Sequence, residues 1–475
     1  MPASAAQPFA TASQGPLLLG VAAYLVLQLL IGLFVSRKVK TERDYLLAGR
    51  SFGPVISTFT IFATWFGAET CMGAAGLAYT GGLASTGSEP FGYALCLVLM
   101  AFVFAVPLWR RGLTTLADLF RERYGSSVER LAILVMVPTS ILWAAAQIRA
   151  FGLVLSSLAA VPAYLAISAA ALVVLIYTSS GGLWADAITD ILQGVVLIIG
   201  LSAMLIVILF VAEPGAWAAV PSQRLSLAGA ASSPLEFAEL FAVPILGSVM
   251  AQELVQRVTA ARSPAIARSS TLMAAGAYAF VGLIPVVLGL VAQDLVPGIA
   301  NPEQVLLGLS TKYLPFWFQL LLCGALISAM LSTVDSALLV AGSLLAHNLV
   351  FGWSARSFDE AAKVRGNRIA VAGCGLLAYG LSLIGESVHE MVQEASSFGS
   401  SGILVIAVVG LFTRFGDARS ARAALVTGVV TYVCGAHVLH VPAPFLGSLL
   451  AASVAYALPA FWARTDAAEV EPDGA

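Results

Sequence analysis

The chain has 475 residues, of which 59% are hydrophobic and 11% are charged, and its formal net charge is −2. Soluble domains carry about 25% charged residues, so this composition excludes a soluble protein and indicates an integral membrane protein. Apolar runs of about 20 residues recur along the chain, which is the length of a membrane-spanning helix and not of a barrel strand. The sequence therefore predicts an all-α membrane fold, with the lipid bilayer and not nucleic acid as its surroundings.

These runs define about 13 candidate transmembrane spans. Numbered in chain order, they lie at 16–36, 54–80, 89–109, 131–157, 161–178, 187–212, 236–256, 270–293, 316–350, 367–385, 391–413, 420–437 and 443–463. Most of the 24 Lys and Arg residues fall in loops after odd-numbered spans. Because cytoplasmic loops carry the excess of basic residues, this pattern places the N-terminus outside and the C-terminus inside. The tails are then an outer segment at 1–15 and a cytoplasmic segment at 464–475, too short for a signalling module.

The connector after span 1, RKVKTERDYLLAGRS, is basic and amphipathic and is predicted to lie at the inner membrane surface. Span 2 contains residues 61–70, IFATWFGAET, in which Gly67 weakens the helix and Glu69 places an acid at membrane depth. An acid there costs about 2.5–3.5 kcal/mol on insertion scales, so it marks a functional or paired position. We predict an interrupted helix whose released carbonyls suit a sodium ion.

Span 7, five spans after span 2, is also interrupted, by Pro244 and Gly247. Interrupted segments at matching places indicate a transporter made of repeats, although glycines that only let helices pack closely are the alternative. Five is an odd number, so a second unit of five spans would be inverted relative to the first. The predicted parts are an extra span at 16–36, a core at 54–413 with repeats at 54–212 and 236–413, and two appended spans at 420–463.

Span 9 carries Ser328, Ser332 and Ser336 on one helical face, with Thr333 and Asp335 beside them. The hydroxyls of Ser332 and Thr333, together with a few carbonyls, would form an oxygen cage for a monovalent cation. Hydroxyls that bond only to carbonyls of their own helix are the alternative. No motif with the spacing of a catalytic site accompanies them, so we do not expect an enzyme.

Five motifs, in this order, resemble those of the sodium:solute symporter family: AGRSFGP, ATWFG, SSGGLWADAITDILQG, QELVQRV and SAMLSTVDSALL. The resemblance covers about residues 45–415, and the ATW of span 2 and LWAAA of span 4 are most similar to the choline transporter branch. It implies a LeuT-type ten-helix core of inverted five-helix repeats. It also implies a sodium-coupled secondary symporter of the inner or plasma membrane that imports a small polar organic solute by alternating access. A membrane solute sensor with the same fold is the alternative.

The resemblance also implies which residues bind and couple the sodium ion. The carbonyls of Ala63, Phe66 and Ala329 and the hydroxyls of Ser332 and Thr333 match the family's sodium site. Asp190, in the TD..Q motif at span 6, matches an acid implied in sodium coupling or release. A helix-start acid near the inner interface is the alternative for Asp190.

For the solute, Trp65 and Trp143 match two tryptophans of the aromatic cage that holds a quaternary ammonium in the choline branch. The third cage position is occupied here by Ala251. Gln252, on span 7, is a further predicted solute contact. The other acids in or near the spans lie mostly close enough to span ends to be interface residues: Glu89, Glu236, Glu239, Glu253 and Glu394.

Glu69 and Arg149 both depart from the choline branch, which has a glycine and a small polar residue there. An unpaired buried charge is costly, whereas a hydrogen-bonded pair is tolerated. We therefore predict that Glu69 and Arg149 pair, either structurally or around a zwitterionic solute.

Overall fold

The protein is described by a computed structural model that covers residues 14–37, 39–211, 217, 220–227, 229–354, 357–385 and 387–469. Its elements up to residue 211 are the helices Gln14–Ser36, Glu42–Leu47, Ala48–Arg50, Pro54–Trp65, Glu69–Gly73, Ala74–Gly81, Leu83–Thr86, Phe91–Leu99, Met100–Phe104, Ala105–Arg111, Leu116–Tyr124, Ser126–Ala159 and Ala163–Val211. The remaining helices are Ser222–Leu225, Pro234–Ala242, Val243–Gly247, Gln252–Ala260, Pro264–Leu295, Pro302–Gln304, Val305–Tyr313, Phe316–Ser343, Leu344–Phe351, Glu360–Ile384, Val388–Ser397, Ser400–Phe412, Ala418–Val433, Cys434–Val438 and Pro444–Glu469. The all-α prediction is confirmed for the described residues.

Nine described helices are long and apolar enough to cross a membrane, and the bent pair Pro234–Gly247 and Gln252–Ala260 makes a tenth. Three shorter apolar helices, Pro54–Trp65, Ala163–Ser179 and Pro444–Ala460, lie where further spans are predicted. The helices therefore agree in position with the predicted spans, while the number of thirteen and the orientation of the termini stay predictions.

Two boundaries differ from those predicted. Spans 5 and 6 belong to one helical run, Ala163–Val211, which bends sharply at Gly182 (φ 61°, ψ −175°). Glycine adopts this positive φ without strain, so the chain turns there without a loop. The predicted cytoplasmic tail begins inside the helix Pro444–Glu469, and residues 1–13 and 470–475 of the two predicted tails lie outside the described residues.

The connector after span 1 packs on the protein. Thr41 forms a capping box at the start of the helix Glu42–Leu47. Tyr45, Leu46 and Leu47 are buried in an apolar cluster with residues of the sixth and ninth spans. The connector is therefore amphipathic, as the sequence indicates, but its apolar face packs on helices of the core.

The second half of span 2 is held by close backbone contacts. The helix Pro264–Leu295 packs along both halves of span 2, and a Cβ added at Gly289 would stand 2.3 Å from the carbonyl oxygen of Ala75. On another side, a Cβ at Gly76 would stand 2.9 Å from the carbonyl oxygen of Pro302. These approaches need glycine and fix where the interrupted helix continues.

Replacing Gly289 with alanine should destabilise the protein, because the new methyl group collides with the backbone of Ala75. We expect the free energy of unfolding to fall by about 1–3 kcal/mol, the usual cost of overpacking. Gly276→Ala on the same helix is the matched control, since a Cβ there meets nothing within 4 Å. Thermal unfolding of the purified protein measures both variants, and equal melting temperatures would contradict the close approach.

Candidate functional site

The interruption of span 2 lies at Phe66, whose φ of −93° and ψ of 79° leave the helical conformation. Among the described residues, the amide of Gly67 donates no backbone hydrogen bond to the carbonyl of Ala63. The next amide, that of Ala68, donates to the side chain of Gln147 at 2.8 Å instead of to its helical acceptor. The predicted break is thus confirmed, and it releases backbone carbonyls at a buried position.

Span 9 faces these carbonyls with its row of hydroxyls. Thr333 Oγ1 donates to the Thr64 carbonyl at 3.0 Å and lies at the same distance from the Ala329 carbonyl. Ser332 Oγ is fully buried and has no hydrogen-bond partner within the described part of the chain. The fold therefore brings the carbonyls of Ala329 and Thr64 together at Thr333, next to the predicted ligand Ala63. The sodium site of five residues stays a prediction. Released carbonyls and an unpartnered hydroxyl are neutral oxygen donors, which suit a sodium ion.

Asp190 belongs to a buried polar network. It accepts a hydrogen bond from Thr60, and its carboxylate lies 3.8 Å from the guanidinium of Arg257. Arg257 is fully buried, forms an ion pair with Asp186 and also donates to Ser336. Asp190 is therefore a buried acid and not a helix-start acid at the interface, and its network joins the helices that carry the predicted sodium ligands.

Three aromatic rings pack beside the break. The ring centroids of Trp65 and Trp143 are 5.6 Å apart, and those of Trp65 and Tyr93 are 6.4 Å apart. The two indole N–H groups are buried and lack a partner among the described side chains and backbone. Aromatic faces attract cations, and Ala251 adds no third tryptophan to the cluster.

A first cavity adjoins this cluster, between span 4, the bend of span 7 and span 11. Trp143, Ala251 and Gln252 line it. Gln252 Oε1 accepts from the Leu116 amide at 2.6 Å, whereas its Nε2 has no partner in the described chain. Gln252 is thus held through its oxygen while its amide donor remains available to a solute.

Gln147 of span 4 connects that helix to the break in span 2, and it is missing from the sequence prediction. Its Oε1 accepts from the Ala68 amide, and its Nε2 donates to Glu69 Oε2 at 3.0 Å. It lies four residues after Trp143 and therefore on the same helical face. This spacing is the signal that could have identified it.

Glu69 and Arg149 do not form a direct ion pair, whereas pairing around a zwitterionic solute stays a prediction. The ion pairs of the described residues do not include this one. Glu69 is held by Gln147, whereas Arg149 donates to the Ser382 carbonyl at 3.3 Å. Burial raises the pKa of Glu303, and the nearby charge of Arg149 opposes that rise. Residues two apart on a helix face different directions, so Gln147 and Arg149 cannot both face Glu69.

Two acids near span ends are buried and not at the interface. Glu253 accepts from Ser140 at 2.6 Å and lines the first cavity. Glu89 is 5% exposed and lines a second cavity together with Tyr93 and His389. Their burial depends on the segments packed over the span ends, which the sequence pattern does not show.

A broken buried helix, an oxygen-lined contact between two helices and an adjoining cavity define a membrane transporter of small solutes and ions. The sodium:solute symporter family model matches residues 45–428, and the chain belongs to this family. It is therefore a multi-pass transporter of the cell membrane and not an enzyme.

The relatives include the human high affinity choline transporter 1, which is 25% identical over 442 residues, covering 88% of this chain and 76% of that protein. The sodium/glucose cotransporter of Vibrio parahaemolyticus is 24% identical over 459 residues, covering 86% and 82%. Among solved structures, the substrate-bound outward-open state of a Na+-coupled sialic acid symporter has a TM-score of 0.83 at 18% identity, covering 94% of this chain and 97% of that one. Mhp1 in its closed conformation, a nucleobase-cation-symport-1 family transporter, has a TM-score of 0.60 at 16% identity, covering 89% and 95%. Both structures share the fold.

Gln147→Leu should destabilise the break in span 2, because it leaves the Ala68 amide and the Glu69 carboxylate without this partner. A buried polar group left unpaired costs about 1–3 kcal/mol, and we expect a loss of that size in the free energy of unfolding. Ser157→Ala on the same helix is the control, since its hydroxyl bonds to the Leu153 carbonyl of its own helix at 3.0 Å. Thermal unfolding that does not separate the two variants would rule out the connecting role.

Proposed function

We propose that this chain is a sodium-coupled secondary symporter that imports a small polar organic solute by alternating access. The observation that carries the proposal is the contact between the break in span 2 and the hydroxyls of span 9. The carbonyl released at Ala63 and the carbonyls of Phe66 and Ala329, together with the hydroxyls of Ser332 and Thr333, would supply oxygen donors for a sodium ion. Such unwound carbonyls are the usual sodium ligands of transporters with broken helices.

The sodium and solute sites share one short backbone segment. Trp65 packs on Trp143, which lines the solute cavity, and the next residue, Phe66, contributes a sodium ligand. An ion bound at Phe66 would order the break and thereby hold Trp65 in place for the solute. Because each ligand favours the same arrangement, the two bind cooperatively, and the coupling is reciprocal.

Sodium binding favours the outward-open state, and the first repeat then rocks against the rest of the core to open the site inward. The sodium gradient and the membrane potential drive import, the latter with about 2.3 kcal/mol per charge per 100 mV. Asp190 takes the coupling or release role, since it bonds to Thr60 of span 2 and lies 3.8 Å from Arg257 of span 7, which also donates to Ser336 of span 9. The network therefore joins helices of the two predicted repeats.

The solute site consists of Trp65, Trp143, Gln252 and Glu69. Trp143 and Gln252 line the cavity, and Trp65 packs on Trp143. Glu69 is held by Gln147, which lies one helical turn after Trp143. Arg149, also predicted as a solute contact, donates to the Ser382 carbonyl at 3.3 Å, and its contact with the solute stays a prediction. The named relatives are transporters, which favours transport over the alternative of a membrane solute sensor.

Uptake into proteoliposomes tests the coupling, with a panel of labelled choline-like, amino-acid and carboxylate solutes. We expect uptake of the transported solute to require sodium and to be lost when potassium replaces it. Equal uptake in the two salts would falsify sodium coupling.

Thr333→Ala removes one proposed sodium ligand, so it should raise the sodium concentration for half-maximal uptake by about tenfold before it lowers the folded yield. Ser343→Ala on the same helix is the control, because its hydroxyl bonds to the carbonyl of Val340 at 2.8 Å. A sodium dependence that is identical in the two variants would remove Thr333 from the site.

A further inference from the structure

Two buried carboxylates, Glu69 and Glu89, lie beside the aromatic cluster. Glu69 is 1% exposed and Glu89 is 5% exposed. One oxygen of each, Glu69 Oε1 and Glu89 Oε2, has no hydrogen-bond partner among the described residues. Their chain neighbours meet, since a Cβ added at Gly282 would stand 2.6 Å from Pro90 and 3.4 Å from Thr70. Thr70 also hydrogen-bonds to Tyr278, whose ring centroid is 6.3 Å from that of Tyr93.

No basic side chain compensates these acids within the described chain, because neither appears in its ion pairs. The partners that the structure does provide are neutral, as the amide of Gln147 is for Glu69. Buried anions without a counter-charge are costly, and two adjacent ones cost more. This contrasts with Asp186, which is paired with Arg257.

Glu89 and Tyr93 line the second cavity. The hydroxyl of Tyr93 lies 3.3 Å from that of Ser396, which lines the first cavity together with Trp143. The ring of Tyr93 also packs on Trp65. Tyr93 therefore links Glu89 to the aromatic cluster and, through Ser396, to the wall of the first cavity.

A cation that carries N–H donors satisfies all of these groups. Its charge offsets the carboxylates, its hydrogens pair with the unpartnered oxygens in charge-assisted hydrogen bonds, and the rings of Trp65 and Tyr93 attract it. A quaternary ammonium serves the rings equally well, but it has no N–H group and leaves the carboxylate oxygens unpaired. The missing third tryptophan at Ala251 weakens the cage for a quaternary group further.

We propose that Glu69 and Glu89 bind the protonated amine of the solute, so that the substrates of this chain carry a primary or secondary ammonium group. The assignment rests on the proposed function, since it names the solute class for the same site. Ethanolamine, N-methylethanolamine, N,N-dimethylethanolamine and choline are the probes, because each step removes one N–H donor and keeps the charge and the hydroxyl.

Binding is measured on the purified full chain in sodium-containing buffer, by quenching of tryptophan fluorescence and by the shift in melting temperature. We expect affinity to fall from ethanolamine to choline. Glu69→Gln and Glu89→Gln should each weaken ethanolamine binding by about tenfold or more and change choline binding less, since they remove a charged acceptor. Glu394→Gln is the control, because Tyr432 and His437 already contact that carboxylate, and it should retain the preference for ethanolamine.

Choline binding as tightly as ethanolamine, no binding of any of the four amines, or Gln variants that keep the wild-type preference would each overturn the assignment. Uptake into proteoliposomes separates this outcome from failure of the proposed function. Preferential ethanolamine binding without sodium-driven uptake refutes symport and leaves the amine site standing. Sodium-driven uptake of a solute without an N–H cation leaves symport standing and overturns the amine site.

Discussion

Backbone polar groups inside a membrane protein must find their hydrogen-bond partners within the protein. At the break at Phe66, some backbone groups lose their helical hydrogen-bond partners. The surrounding spans supply replacements. The amide of Ala68 bonds to Gln147 of span 4, and the carbonyl of Thr64 accepts from Thr333 of span 9. The carbonyl of Ala63 does not receive its helical hydrogen bond from the Gly67 amide. This carbonyl is the group that a cation could bind. The position of the site follows from this constraint.

The same constraint gives coupling a physical basis. Since the substitute partners come from two different spans, the break holds its shape only while both stay in place. The proposed solute contact Trp65 and the proposed sodium ligand Phe66 are adjacent in this segment, so a rearrangement of one would move the other. Gly289 and Gly76 fix the second half of the helix by backbone contact, which leaves the break itself as the adjustable part.

Buried charge is treated differently in two parts of the core. Around Asp190 the protein supplies its own compensation, through Arg257 and a set of hydroxyls. At Glu69 and Glu89 only neutral partners are present among the described groups. A network that is compensated internally can hold helices together without a ligand, whereas carboxylates without a counter-charge attract a cation. This difference supports the proposed coupling role of Asp190 and the proposed binding role of Glu69 and Glu89.

The sequence by itself determined the membrane class, the positions of the apolar helices, the interruption of span 2 and the hydroxyl row of span 9. These features are local, because they depend on composition, helical period and helix-breaking residues that are read along the chain. Only the tertiary structure decided that Gln147 and not Arg149 faces Glu69, that Glu89 is buried beside Tyr93, and that Tyr45 covers the core. Which faces of two helices meet depends on their rotation and packing, and the period of one helix does not contain that information.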